Sequence, residues 1–191
     1  MRILLLCGSP LPASRTLLVT ALIAELLRRE GAEIELWDLA SRPLPTADPA
    51  YHADPGANPD HAVRELVSAA AAADGFVLAS PVYHNSYSGV LKNALDHLAI
   101  RQFHHKPVGL VAFGGSLTAV GVCDQLRIVV RALLGIALPT QLVSVSADIS
   151  SDEAGRPRID NPELIRRGKR MVAELTKFAG LANRLPERSG T

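Results

Sequence analysis

The chain has 191 residues, 48 % of them apolar, with 20 basic and 19 acidic side chains and a formal net charge of +1. Such a length fits one domain of about 100–200 residues with a full core, and so balanced a charge gives no electrostatic case for nucleic acid or an anionic membrane surface. The opening ILLLC is shorter than the roughly 7–15 apolar residues of a secretory core, and no run reaches the roughly 18 of a membrane helix, so a cytoplasmic protein is expected.

Residues 2–7, RILLLC, form a continuous apolar run ended by Gly8 and Pro10, the pattern of a strand covered on both faces. Leu18, Leu22 and Leu26 then recur at helical spacing within 15–30, and Gly31 stops them. EIELWDL at 33–39 alternates as a second strand. Residues 41–60 hold five prolines and are expected as an irregular loop. A loop of that length exceeds the usual limit of about 12–15 residues and points to a functional role or disorder. Asn58 caps and Pro59 opens a second helix reaching Ala73, since a proline's missing N–H costs nothing in a first turn. GFVLAS at 75–80 is a third buried strand, 81–88 a loop, and Gly89 to Ile100 a helix. PVGLVAFG at 107–114 is the fourth strand, 119–134 a helix, and 138–146 contains a fifth strand. After a polar loop, Asn161-Pro162 repeats the helix-start signal, and the last helix reaches Asn183. Residues 184–191 are expected as a mobile tail.

The order βαβαβαβαβα predicts an α/β fold: a doubly wound, five-stranded parallel sheet of flavodoxin-like order 2-1-3-4-5 with helices on both faces. Residues 1–183 then form a single domain, with no internal repeat and no linker. In such a sheet ligands bind at the carboxyl ends of the strands, near strands 1 and 3, where the order reverses.

Three loops lie at those ends. CGSPLPASRT, residues 7–16, has the composition of a phosphate cradle: hydroxyls on Ser9, Ser14 and Thr16, a cation on Arg15, and a helix N-terminus that favours an anion. A plain capped turn with Ser14 as N-cap reads the same residues equally well. The loop at 80–89 offers Tyr83, His84, Asn85, Ser86 and Tyr87, flat rings and amides suited to a planar heteroaromatic ligand. In the third, Gly114 and Gly115 allow close backbone approach and Ser116 donates. A phosphate site in the first loop with ring-sized polar loops after strands 3 and 4 describes flavin mononucleotide (FMN) better than ATP. The chain has neither G-x-x-x-x-G-K-[ST] nor G-x-G-x-x-G, so a P-loop and a dinucleotide fingerprint are both excluded on pattern, and Asp38 reads as a surface residue. There is no G-x-S-x-G elbow for serine hydrolysis. The His104-His105 pair has no further ligand at usable spacing, and Cys7 and Cys123 read as buried small hydrophobes, so no metal site or disulfide is expected.

GSPLPASRT, PVYHNSYSGVLKNALDHL and FGGS resemble the NADPH-dependent FMN reductase family. Its marks are GSxRxxS after strand 1, P-x-Y-[NKH]-x-S-x-[PS]-G-x-L-K-N-x-[LI]-D after strand 3, and a Gly-Gly turn after strand 4. The likeness in spacing extends over residues 1–145, and the middle motif is the specific one. The resemblance implies a flavodoxin-like fold and an NAD(P)H:FMN oxidoreductase with FMN as cofactor or substrate and NADPH or NADH as donor. It implies that Ser9, Ser14 and Thr16 bind the FMN phosphate, that Pro81, Val82, Tyr83, His84 and Ser86 line the isoalloxazine, and that Gly115 and Ser116 close its other side. Asn85, Gly114 and Arg15 complete the expected binding set. The family's arginine falls at Leu11 here, which would weaken FMN about 10- to 100-fold unless Arg15 compensates. The resemblance also implies a homodimer or tetramer, with the helix at 89–101 in a subunit contact and the long loop covering the neighbour's flavin. A quinone, an azo dye, or a flavin-dependent monooxygenase receiving reduced flavin are the implied acceptors.

Hydride transfer needs stacking and orientation rather than a protein acid or base, so no catalytic side chain is expected. His84 reads as a hydrogen-bonding wall, with proton donation a minor role. On the helix at 89–101, Lys92, Asn93, Asp96 and His97 read as a solvated face on which Lys92 and Asp96 pair. Two other readings compete. A flavodoxin-type electron carrier would gain from an acidic docking face, which a net charge of +1 does not supply. A binding module that has lost flavin would ignore added FMN.

Overall fold

The computed structural model describes residues 1–182, so the tail expected at 184–191 lies outside the described residues. In chain order the elements are β1 (Arg2–Cys7), α1 (Arg15–Arg29), β2 (Glu33–Asp38), α2 (His61–Ala72), β3 (Gly75–Pro81), α3 (Gly89–Asp96) and α4 (Ile100–Phe103). They continue with β4 (Pro107–Gly114), α5 (Val120–Ala132), β5 (Ile136–Val145), β6 (Ile149–Ser151), β7 (Pro157–Ile159) and α6 (Pro162–Ala182). The main sheet is parallel in the order β2-β1-β3-β4-β5, as the alternation of elements predicts.

Strand periodicity divides the core in two. Leu4, Leu6, Phe76, Leu78, Leu110 and Ala112 face α2, α3 and α5. Ile3, Leu5, Val77, Ala79, Val111 and Leu142 face α1 and α6. The central strands are apolar on both sides because both sides are covered.

Four boundaries differ from expectation. Helix α2 starts at His61, because Asp60 takes the extended cap conformation and accepts from the Val63 amide at 3.1 Å. Asn58 instead accepts from the Asp60 amide, which places Pro59 before the cap. The helix expected to reach residue 100 ends at Asp96, and α4 is a separate turn. Strand β5 begins two residues early and carries an irregularity at Pro139, where the ladder has no N–H to use and the register with β4 slips between Val108 and Leu110. The polar loop after β5 folds into the antiparallel hairpin β6–β7.

The outer edge of β5 is capped by side chains. Arg127 of α5 donates to the Leu138 carbonyl at 2.9 Å, and Arg167 of α6 donates to the Gln141 carbonyl at 2.9 Å. Glu174 accepts from the Thr140 amide at 3.0 Å. The proline-rich segment after β2 is likewise held. Trp37 donates to the Arg42 carbonyl, and the Arg42 guanidinium lies 3.4 Å from the Trp37 ring centre. Asn93 on α3 donates to the Pro45 carbonyl at 2.8 Å and accepts from the Ala47 amide at 2.9 Å, while His97 reaches the same Pro45 carbonyl. The polar face of α3 is therefore solvated at the Lys92–Asp96 pair but serves as a clamp at Asn93 and His97.

Candidate functional site

The site is built where β1 and β3 run out, the point at which the strand order reverses. The Gly8 amide donates to the Ala79 carbonyl at 2.7 Å, which carries the ladder one residue past β1. Gly8 is required for closeness rather than for a left-handed turn. A Cβ there would stand 2.6 Å from Leu91 Cβ and 3.0 Å from the Ala79 carbonyl. Ser14 caps α1, its Oγ accepting from the Leu17 amide at 3.1 Å. The amides of Arg15 and Thr16 precede the helical ladder and have no carbonyl one turn back. Ser9 is buried and its Oγ accepts from the Leu11 amide. Arg15 Nη1 donates to Ser146 Oγ at 3.1 Å, so the turn after β5 holds this guanidinium beside the loop.

After β3 the chain makes a two-residue hairpin. Tyr83 and Ser86 exchange backbone bonds of 2.9 and 3.0 Å, and the tip residues His84 and Asn85 have φ of +50° and +60°. The tip rests on the start of α5, where a Cβ on Gly121 would meet the Asn85 carbonyl at 2.9 Å. The Val82 amide donates to the Phe113 carbonyl, which joins this loop to the end of β4.

Between these loops opens a cleft of about 310 Å³. Ser9, Leu11, Ser14, Arg15 and Thr16 line one end; Pro81, Val82, Tyr83, Phe113, Gly114 and Gly115 line the other. The structure thus brings together Ser9, Ser14, Arg15, Thr16, Pro81, Val82, Tyr83, Gly114 and Gly115 of the predicted set. His84, Asn85, Ser86 and Ser116 do not line the cleft: the first two form the hairpin tip, Ser86 closes its base, and Ser116 Oγ bonds Thr118 Oγ1 at 2.8 Å. Leu11 and Phe113 were not in that set. Phe113 was findable, because strand period and its place at the end of β4 turn it to the same face as Val111. Leu11, 63 % exposed, gives the serine-rich end an apolar rim that composition alone does not reveal. Beneath the loop, burial pushes the Cys7 thiol up, and Asp38 pushes it further, so it is a packing group. A second cavity of about 200 Å³ lies between β5 and α6, lined by Thr140, Glu163, Arg166 and Arg170. Its arginines Arg166 and Arg170 are paired with Glu163 and Glu174, and it lies away from the strand ends.

A model of the NADPH-dependent FMN reductase family matches residues 1–149. The chain belongs to that family. The FMN-dependent NADPH-azoreductase of Staphylococcus aureus (strain USA300) is 35 % identical over 178 residues, which cover 93 % of this chain and 95 % of the relative. Among solved structures, an oxidoreductase from Corynebacterium diphtheriae matches with a TM-score of 0.74 at 21 % identity, covering 94 % of this chain and 97 % of the other. An NADH:FMN oxidoreductase in its apo form matches at 0.70 and 22 %, covering 97 % and 91 %. These likenesses carry the flavodoxin-like fold. Family membership makes the protein an NAD(P)H-dependent oxidoreductase with FMN as its cofactor and NADPH as electron donor. Among the described residues, no helix is long and apolar enough to cross a membrane.

Proposed function

We propose that the cleft holds FMN with its phosphate at the start of α1 and its ring between the loops after β3 and β4. One observation carries this reading: a polar end and an apolar end share a single cleft. Ser9, Ser14, Thr16 and the first amides of α1 supply donors for a phosphate, and Arg15 supplies the cation that the loop lacks at Leu11. Val82, Tyr83 and Phe113 supply flat apolar surface, and Gly115 borders open space in which a Cβ would meet nothing within 4 Å. FMN held there would supply the redox chemistry between NADPH and an acceptor. The protein's own part is to orient the ring and leave one face open; Tyr83 is 42 % exposed at that opening.

The acceptor we infer is an azo or quinone compound, supported by the azoreductase relative. Release of reduced flavin to a monooxygenase is the second destination, favoured by the apolar, exposed Leu11 where a phosphate-binding arginine would tighten the grip. We also infer one domain that assembles as a dimer or a dimer of dimers, supported by the exposed Ile100, Ile128 and Leu134. A cytoplasmic setting fits the two free, buried cysteines.

The test is NADPH oxidation by the purified protein with FMN, with and without an azo dye such as methyl red. Dye bleaching that requires both NADPH and FMN is expected. Protein that neither binds FMN nor oxidises NADPH would overturn the reading.

A further inference from the structure

Two buried serines join the loops that form the two ends of the cleft. Ser88 Oγ donates to the Gly8 carbonyl, in the loop after β1, and accepts from the Leu91 amide at 3.2 Å as the N-cap of α3. The Ser88 amide donates to Ser80 Oγ at 2.9 Å, and Ser80 Oγ donates to the Pro81 carbonyl at 2.9 Å. Ser80 and Ser88 are 0 % and 1 % exposed, so water does not compete for these bonds. Neither residue lines the cleft. Their bonds run beneath it, from the end of β3 through the start of α3 to the loop after β1.

We infer that Ser88, supported by Ser80, is a positioning residue that sets the separation of the phosphate end from the ring end. This rests on the reading that the cleft binds FMN lengthwise. A ligand that grips both ends gains from the second grip only when the two stand at the right distance, as in any two-point attachment. Riboflavin has the ring without the phosphate and uses one end only. Loss of the bridge should therefore weaken FMN far more than riboflavin, whereas a general loosening of the fold weakens both alike. Ser88 has φ −68°, which a proline ring can adopt.

The experiment titrates FMN and riboflavin, by flavin fluorescence, into the wild type and into Ser88→Ala, Ser88→Pro, Ser88→Thr and Ser80→Ala, with a thermal melt of each. The ratio of FMN to riboflavin affinity should fall about tenfold in Ser88→Ala, which removes the hydroxyl's bonds to Gly8 and Leu91, and at least as far in Ser88→Pro, which also removes the amide that Ser80 accepts. Ser88→Thr should restore it, and Ser80→Ala should lower it less. If Ser88→Ala fails to fold, Ser88→Pro and Ser80→Ala decide. An unchanged ratio in every folded variant overturns the inference, as does an equal loss of both ligands. A wild type with no preference for FMN over riboflavin overturns instead the lengthwise reading of the cleft.

Discussion

The corner between β1 and β3 and the open edge of β5 face the same problem: backbone polar groups with no neighbouring strand. At the edge, Arg127, Arg167 and Glu174 bring side chains to the Leu138, Gln141 and Thr140 backbone groups. At the corner the tying bonds lie underneath, through Ser80 and Ser88, and the first amides of α1 are left facing the cleft. Side chains therefore close one margin against partners, while the other is stiffened from below and kept open above. The difference separates a margin built to be inert from one built to bind.

The contrast breaks most sharply at Gly8. A methyl group there would meet Leu91 Cβ, which is anchored to a helix backbone, so Gly8→Ala should cost about 1–3 kcal/mol. A urea melt should show the lowered midpoint together with weakened FMN binding; a midpoint equal to wild type would mean that α3 and the loop are not held as tightly as described. The edge responds differently. Replacing both Arg127 and Arg167 with alanine should cost about 1 kcal/mol in solvent-screened hydrogen bonds and expose two strand carbonyls. Concentration-dependent self-association on a sizing column is expected, with FMN affinity unchanged. Association that stays at the wild-type level would show that the arginines are not what protects the edge.

The smallest effect is one of pH. Burial alone would raise the Glu174 carboxyl, but hydrogen bonds from Thr140 and Arg170 outweigh it and hold the group below its ordinary value of 4.5. A carboxyl depressed by folding adds stability that is fully present above its unfolded pKa and is lost as pH falls through the folded one. Wild type should thus lose stability below pH 4.5 more steeply than Glu174→Gln, as read by thermal melts between pH 3 and pH 7. Parallel curves for the two proteins would remove Glu174 from the account of the edge.

Much of this was legible in the residues, for identifiable reasons. ILLLC and PVGLVAFG are apolar at every position because both faces of the sheet are covered, and together with the alternation of strands and helices that implied a parallel sheet. Ser14 was readable as a cap from its place before an apolar helix. Four features were not readable. Asn58 and Asp60 both carry capping side chains, and only the backbone conformation decides which one opens the helix. The pairing of Ser88 with Gly8 spans 80 residues, so no local pattern announces it. No local signal showed that His84 and Asn85, read as site residues from composition, would form the left-handed tip of a two-residue turn. The hairpin β6–β7 hid in a polar stretch whose three-residue strands are half-buried at best and bring only Ile159 against the core.

Helix α3 occupies an unusual mechanical position. Its first residue follows the serine that ties the cleft, and its flank carries Asn93 and His97, which hold the Pro45–Ala47 stretch. Eight residues of helix thus link the binding corner to a segment anchored more than forty positions away in sequence. The cleft and the proline-rich arm therefore share one short helix as their common support.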